Sequence, residues 1–154
     1  MVDVERLNKN KNINRGYRNL IVWQEAVRLY RFVKIKTDKM PSLPFKIKSQ
    51  VLDSILSVGS NIAEGYSRRS IKENINFNNY ALGSLSENYS QIFTLMNSGE
   101  IDKTWFDEFD KMHYSLENKL TNLIKKQIQK LQNKEDWNKD FLLREDPSNY
   151  NTSL

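Results

Sequence analysis

The sequence predicts an all-α fold: four long amphipathic helices folded back on one another, with a flexible N-terminal arm and a short C-terminal extension. Three observations predict it. Four stretches repeat apolar residues at three- and four-residue spacing, the period of one helix face. Glycine and proline are scarce, five and three among 154 residues. A composition 38% hydrophobic and 28% charged suits helices with apolar stripes rather than disorder. A chain of this length makes one domain with a real core.

Residues 1–18 are rich in Asn and Lys and lack a sustained apolar period, which reads as a mobile arm, a solvated terminus whose basic groups could touch nucleic acid. Residues 19–131 form the bundle domain. The first helix spans about 19–36, with Leu20, Trp23, Val27 and Tyr30 in one row and Val22, Ala26, Leu29 and Val33 in the next. Pro41 and Pro44 then set a turn. The second helix begins near Pro44 or Phe45, where proline's missing N–H costs nothing, and carries the stripe Ile47, Val51, Ile55, Val58 and Ile62, widened by Leu52, Leu56 and Ala63. Its end is expected near Glu64, with Gly65 at the helix exit.

Ser67 or Ser70 can cap the third helix, and Ser70 with Glu73 has capping-box spacing. That helix runs to about Asn97 through Ile71, Ile75, Asn78, Leu82, Leu85, Tyr89, Ile92 and Met96. Asn78 interrupts the apolar register and needs a partner if it is buried. Ala81, Gly83 and Ser84 form a small-residue patch expected to let another helix approach, with Glu87 close by. Asn-Ser-Gly at 97–99 ends the helix. The fourth covers 102–131, with Phe106, Phe109, His113, Leu116, Leu120, Leu123 and Ile128 facing inward. Residues 132–154 lose the period and read as the C-terminal extension, with room for a short docking helix around 134–144.

The net charge of +5 is unevenly placed. Residues 1–20 hold five basic and two acidic groups, and residues 111–131 hold five basic and one acidic group. This favours polyanions at particular surfaces. Candidate nucleic-acid or partner contacts are therefore Arg68, Arg69 and Lys72 around the second turn, and Lys111, Lys119, Lys125, Lys126 and Lys130 on the fourth helix. Arg68 or Arg69 could instead pair with Glu64 across the turn.

No catalytic apparatus is spelled out. Without cysteine there is no disulfide, thiolate nucleophile or cysteine metal site, which fits a reducing compartment. The single histidine, His113, sits in an inward-facing series and reads as a packing or hydrogen-bonding residue. The glycines form no phosphate loop, so no cofactor is expected. No long uncharged apolar run suggests a membrane span. The expectation is a protein that is not an enzyme.

The stretches YRNLIVWQEAVRLY (17–30), QVLDSILSVGSNIAEGYSRRSIKE (50–73) and ALGSLSE (81–87) resemble the four-helix bundle family named for proteins encoded within intervening sequences of bacterial 23S ribosomal RNA genes. The joined NIAEG, SRRS and GS-x-x-E elements carry the resemblance, which covers most of residues 17–131. It implies an up-and-down four-helix bundle, a bacterial cytoplasmic protein and a homo-oligomer, with a pentamer favoured. It also implies kinship with accessory proteins of diversity-generating retroelements, which associate with a reverse transcriptase and nucleic acid, RNA or DNA. On the motif positions, Asn61, Glu64, Gly65, Gly83, Ser84 and Glu87 would shape a turn and close packing, and Arg68 and Arg69 would make contacts or a polar network. The sequence departs from the family pattern at Asp53, where Arg is common, at Gly59, where Pro is common, and at Asn74, Asn78 and Asn88, where apolar residues often stand. The functional expectation is a noncatalytic, oligomeric bundle that binds nucleic acid through basic surfaces, or a scaffold for a reverse transcriptase or another nucleic-acid-processing enzyme.

Overall fold

The structure, a computed structural model, describes residues 3–133. A short helix α1 (Val4–Asn8) and a 3-10 helix (Ile13–Asn19) precede four long helices, α2 (Ile21–Asp38), α3 (Phe45–Ser67), α4 (Ile71–Asn97) and α5 (Lys103–Gln132). Each long helix packs on the next in sequence and α5 closes against α2, the arrangement of an up-and-down four-helix bundle. No strand occurs among the described residues. The docking helix expected around 134–144 lies outside them.

The apolar stripes converge on one core. Val22, Ala26, Leu29 and Val33 of α2, Val51, Ile55, Val58 and Ile62 of α3, Ala81, Leu85 and Ile92 of α4, and Phe109, Leu116 and Leu120 of α5 are all buried. The α5 register differs from the expected one at its end. Ile124 and Gln127 face inward, while Leu123 is half-buried and Ile128 exposed, because strict helical geometry carries the buried face from Leu120 to 124 and 127. His113 is buried and its Nε2 lies 2.8 Å from the Leu85 carbonyl oxygen, the hydrogen-bonding role expected of it. At that level the core is aromatic: Tyr89 and Phe109 pack on the histidine ring, Phe106 packs on both of them, and Trp105 stacks between Phe32 and Phe109.

Helix ends are set by local devices, with the expected capping box the exception. Asp102 caps α5 by accepting from the Trp105 N–H at 2.8 Å. Gly99 leaves α4 with φ +79°, a conformation that favours glycine, and the Glu100 N–H returns to the Leu95 carbonyl. Ser70 is the N-cap of α4, yet its side chain makes no capping bond, so the expected capping box does not form; Glu73 turns instead toward Arg68 at 4.0 Å.

The stretch read as a mobile arm has local order. The Arg18 guanidinium donates to the backbone carbonyls of Arg6, Lys9, Asn10 and Arg15, at 3.0 to 3.3 Å, gathering the segment around one side chain. Tyr17 then packs edge-on to Trp23 at 5.3 Å and to Tyr66 at 6.4 Å, which lays the 3-10 helix against α2 and α3. Aromatic contacts and hydrogen bonds, including one from Gln24 Nε2 to the Arg18 carbonyl at 2.8 Å, hold it in place of a periodic stripe.

Two glycines exchange the roles expected of them. Gly65 is no helix exit: α3 continues through it to Ser67, and it is buried where α3 meets α4. A Cβ there would lie 2.8 Å from the Phe77 Cβ and 3.3 Å from the Asn74 carbonyl oxygen, so glycine is what lets the two backbones close. Gly83 is exposed, with nothing within 4 Å of its would-be Cβ, and packs against no neighbour. Close packing in the small-residue patch falls instead to buried Ala81 and to Ser84, whose hydroxyl donates to Ser57 Oγ at 3.0 Å. Gly65→Ala is expected to destabilise the fold by about 1–3 kcal/mol through overpacking. Gly83→Ala is expected to stabilise it by up to about 1 kcal/mol, since it relieves only the cost of glycine in a helix interior. Urea denaturation of both variants checks the opposite signs.

Candidate nucleic-acid interface

Up-and-down topology brings the start of α2, the α3–α4 turn and the end of α5 to one end of the bundle. The end is fixed by a buried amide junction. Asn74, Asn78 and Gln127 are 4%, 2% and 6% exposed. Asn74 Nδ2 donates to the Gly65 carbonyl at 2.8 Å, Asn78 Nδ2 donates to Asn74 Oδ1 at 2.9 Å and Gln127 Oε1 at 3.0 Å, and Gln127 Nε2 donates to Asn74 Oδ1 at 2.6 Å. Three helices are thus joined by groups that would each be costly if left unpaired. The partner that Asn78 required is supplied by Gln127, a residue the apolar pattern does not single out.

The candidate cations divide around this junction. Arg68, Arg69 and Lys72 stand on the α3–α4 turn and the first turn of α4. Lys126 and Lys130 stand on α5 beside Gln127 and share the rim of one cavity with Leu20, Tyr66 and Asn74. Lys125 lies on another flank of the same helix end. Lys111 and Lys119 are not part of this cluster: Lys111 is about 22 Å from Lys126 along the axis at about 1.5 Å per residue. Lys111 borders a shallow hollow with Arg28, and Lys119 is held by Glu25 at 2.5 Å.

Arg68 and Arg69 also differ. Arg68 pairs with Glu64, approaches Glu73 and lies 4.7 Å from the centre of the Phe77 ring, so it belongs to the network that shapes the turn. Arg69, Lys72, Lys125, Lys126 and Lys130 are exposed and carry no ion pair among the described residues. At the opposite end Lys36 pairs with Asp102 at 2.5 Å, and Lys34 and Lys48 with Asp38 at 2.6 Å each, while exposed Lys39, Lys46 and Lys103 carry no ion pair among the described residues. Hydrogen bonds from the paired lysines hold the Asp102 and Asp38 carboxyls below the usual carboxylate range. At the amide-junction end Arg69 of the α3–α4 turn, Lys72 of α4 and Lys125, Lys126 and Lys130 of α5 leave positive charge without acidic partners among the described residues.

The remaining motif residues act locally. Asn61 Nδ2 donates to the Ser57 carbonyl at 2.9 Å and to Ser57 Oγ at 3.0 Å, and Glu87 accepts from Gln91 Nε2 at 3.1 Å. Glu87 is exposed and does not reach the Ala81–Ser84 patch through any hydrogen bond among the described residues. A second buried polar group, Asn88, donates to the Val51 carbonyl at 2.9 Å and Ser54 Oγ at 3.0 Å. Among the described residues no group of three or more His, Cys, Asp or Glu side chains could hold a metal ion, and no helix is long and apolar enough to cross a membrane.

A family model described as 23S rRNA-intervening sequence protein matches residues 18–122. The chain belongs to this family. The match runs from the end of the 3-10 helix into α5 and includes the whole NIAEG–SRRS turn, so Arg69 and Lys72 of this 23S rRNA-intervening sequence family protein lie within it, while Lys125, Lys126, Gln127 and Lys130 lie beyond its end. Its fold is similar to the crystal structure of a Bacteroides thetaiotaomicron protein of unknown function from the S23 ribosomal protein family. The TM-score is 0.63 at 22% identity, over 68% of this chain and 99% of that one. No curated protein matches the chain.

The amide junction makes a double-mutant prediction. Asn78→Ala and Gln127→Ala are each expected to cost about 1–3 kcal/mol, because each leaves the other's polar group buried and unpaired. The double variant is expected to cost less than the two together, with a coupling of about 0.5 kcal/mol or more in equilibrium denaturation.

Proposed function

We propose that this protein works by binding rather than by catalysis, as a noncatalytic, homo-oligomeric bundle of the cytoplasm, and that nucleic acid is the ligand of its basic end. The observation that carries the reading is the convergence of Arg69, Lys72, Lys126 and Lys130 at one end without acidic partners among the described residues. Exposed ammonium and guanidinium groups on rigid helix ends neutralise phosphates and release counterions, which makes binding sequence-tolerant and salt-dependent. In a ring of copies, a pentamer for instance, each copy repeats the same end, and several modest contacts accumulate into useful affinity. The family's setting in ribosomal RNA genes and its resemblance to retroelement accessory proteins agree with a polynucleotide ligand.

A second reading, a scaffold for a reverse transcriptase or another nucleic-acid-processing enzyme, draws on the groove between α2 and α3. Tyr17, Trp23, Tyr30 and Ala63 line it with 53%-exposed Leu56, around a hollow of about 310 Å³. An apolar groove of this kind suits a protein partner or another copy of the chain.

Binding to a single-stranded RNA oligonucleotide should weaken as salt rises. Replacing Arg69, Lys72, Lys126 and Lys130 with Gln should lower the logarithmic salt slope by about 0.7 for each phosphate no longer neutralised, with oligomer size unchanged in sedimentation. Salt-insensitive binding, or no binding to RNA or DNA, would count against the proposal. A scaffold would retain its enzyme in a pulldown after nuclease treatment.

A further inference from the structure

The amide junction also floors a cavity of about 260 Å³ that opens among the cations of the basic end. Its walls are apolar, from Leu20, Ile62 and Leu123, with Tyr66 adding an aromatic side, and Lys126 and Lys130 stand on its lining as well. The donor inventory of the floor is definite. Three primary amides carry six N–H bonds and three carbonyl oxygens. Their own network uses both hydrogens of Asn78 Nδ2, one of Asn74 Nδ2 and one of Gln127 Nε2. One N–H on Asn74, one N–H on Gln127 and the Asn78 carbonyl oxygen are not used within the network, and all three side chains line the cavity.

Ligand classes can be sorted against this lining. An inorganic anion would use the lysines and the two spare N–H groups but leave the apolar walls and the Asn78 carbonyl oxygen without a role. An aliphatic group would fill the walls but cover polar groups without satisfying them, which is unfavourable. A flat heterocycle with both a donor and an acceptor on its edge matches the floor, its faces match the walls, and a phosphate attached to it reaches the lysines. The volume lies just under the roughly 300–1,000 Å³ of drug-sized sites, room for one base rather than two stacked ones. We infer that this cavity is a base pocket, taking one unstacked nucleobase against the Asn74–Asn78–Gln127 amides with its phosphate at Lys126 and Lys130. The base belongs either to a free nucleotide or to a strand held at the basic end, and only the second source rests on the function proposed above.

Calorimetric titration of the full chain with the four ribonucleoside monophosphates, with ribose 5-phosphate and with inorganic phosphate tests the pocket. At least one monophosphate should bind about fivefold or more tighter than ribose 5-phosphate, the advantage that base stacking and edge contacts confer. Leu123→Phe, which places a larger ring in the cavity, should abolish that advantage while helical circular dichroism is kept. Should that variant not fold, Lys126→Gln with Lys130→Gln should weaken the monophosphate at least about fivefold and leave the corresponding nucleoside unchanged. Equal binding of monophosphate and ribose 5-phosphate, or a folded Leu123→Phe chain that binds as the parent does, would overturn the pocket. A single-stranded RNA oligonucleotide that loses affinity in Leu123→Phe assigns the base to a strand; one that does not, beside a monophosphate that does, assigns it to a free nucleotide. If the monophosphate advantage is absent while RNA still binds in a salt- and charge-dependent way, the pocket falls and the proposed function stands. The reverse pattern leaves the pocket and removes the function.

Discussion

Buried amides are costly to leave without partners, and that constraint fixes where α3, α4 and α5 meet. Asn74, Asn78 and Gln127 satisfy one another and the Gly65 carbonyl only in one helix register, since moving α5 by a residue would carry Gln127 off the buried face. Apolar stripes are more permissive: neighbouring leucines and isoleucines can exchange places with modest loss. The junction thus adds specificity to an otherwise adaptable apolar interior. Gly65 is its backbone counterpart, because the missing side chain allows α3 and α4 to come close enough for the Asn74 amide to reach across.

The two ends of the bundle are built from different chemistry. Away from the junction, Phe32, Trp105 and Phe109 stack in series and Lys36 lies 5.5 Å from the Trp105 ring centre while paired with Asp102. Lys34, Lys36 and Lys48 there are neutralised within the fold. At the junction end Arg68 alone among the turn cations is occupied with acidic groups, and its neighbours remain available to a ligand. Assembly into a ring would repeat the junction end around an axis.

Much of the bundle was legible because helical periodicity survives in long segments. The four stripes place the helices within two or three residues, and Pro44, Gly99 and Asp102 mark ends whose chemistry is local. Packing between helices is less legible. Gly65 and Gly83 look alike in sequence, and only the approach of Phe77 and Asn74 separates a required glycine from an exposed one. The lysines of α5 read as a single coat, yet Glu25, distant in sequence, holds Lys119 and leaves Lys126 and Lys130 at the end. Gln127 gave no signal of its own; the clue was the pair Asn74 and Asn78, polar residues one helical turn apart on an apolar face, which demand a third group.

The register of the three helices depends on Asn78 being locked between Asn74 and Gln127. Side-chain amide exchange measured by heteronuclear NMR tests this directly, with the exposed Asn76 and Asn79 of the same helix as internal references. The Asn78 Nδ2 protons should exchange far more slowly than those two and show resolved, non-equivalent shifts. Exchange of Asn78 at the rate of its exposed neighbours would mean that the amides do not join the helices, and the placement of the basic end would lose its physical basis.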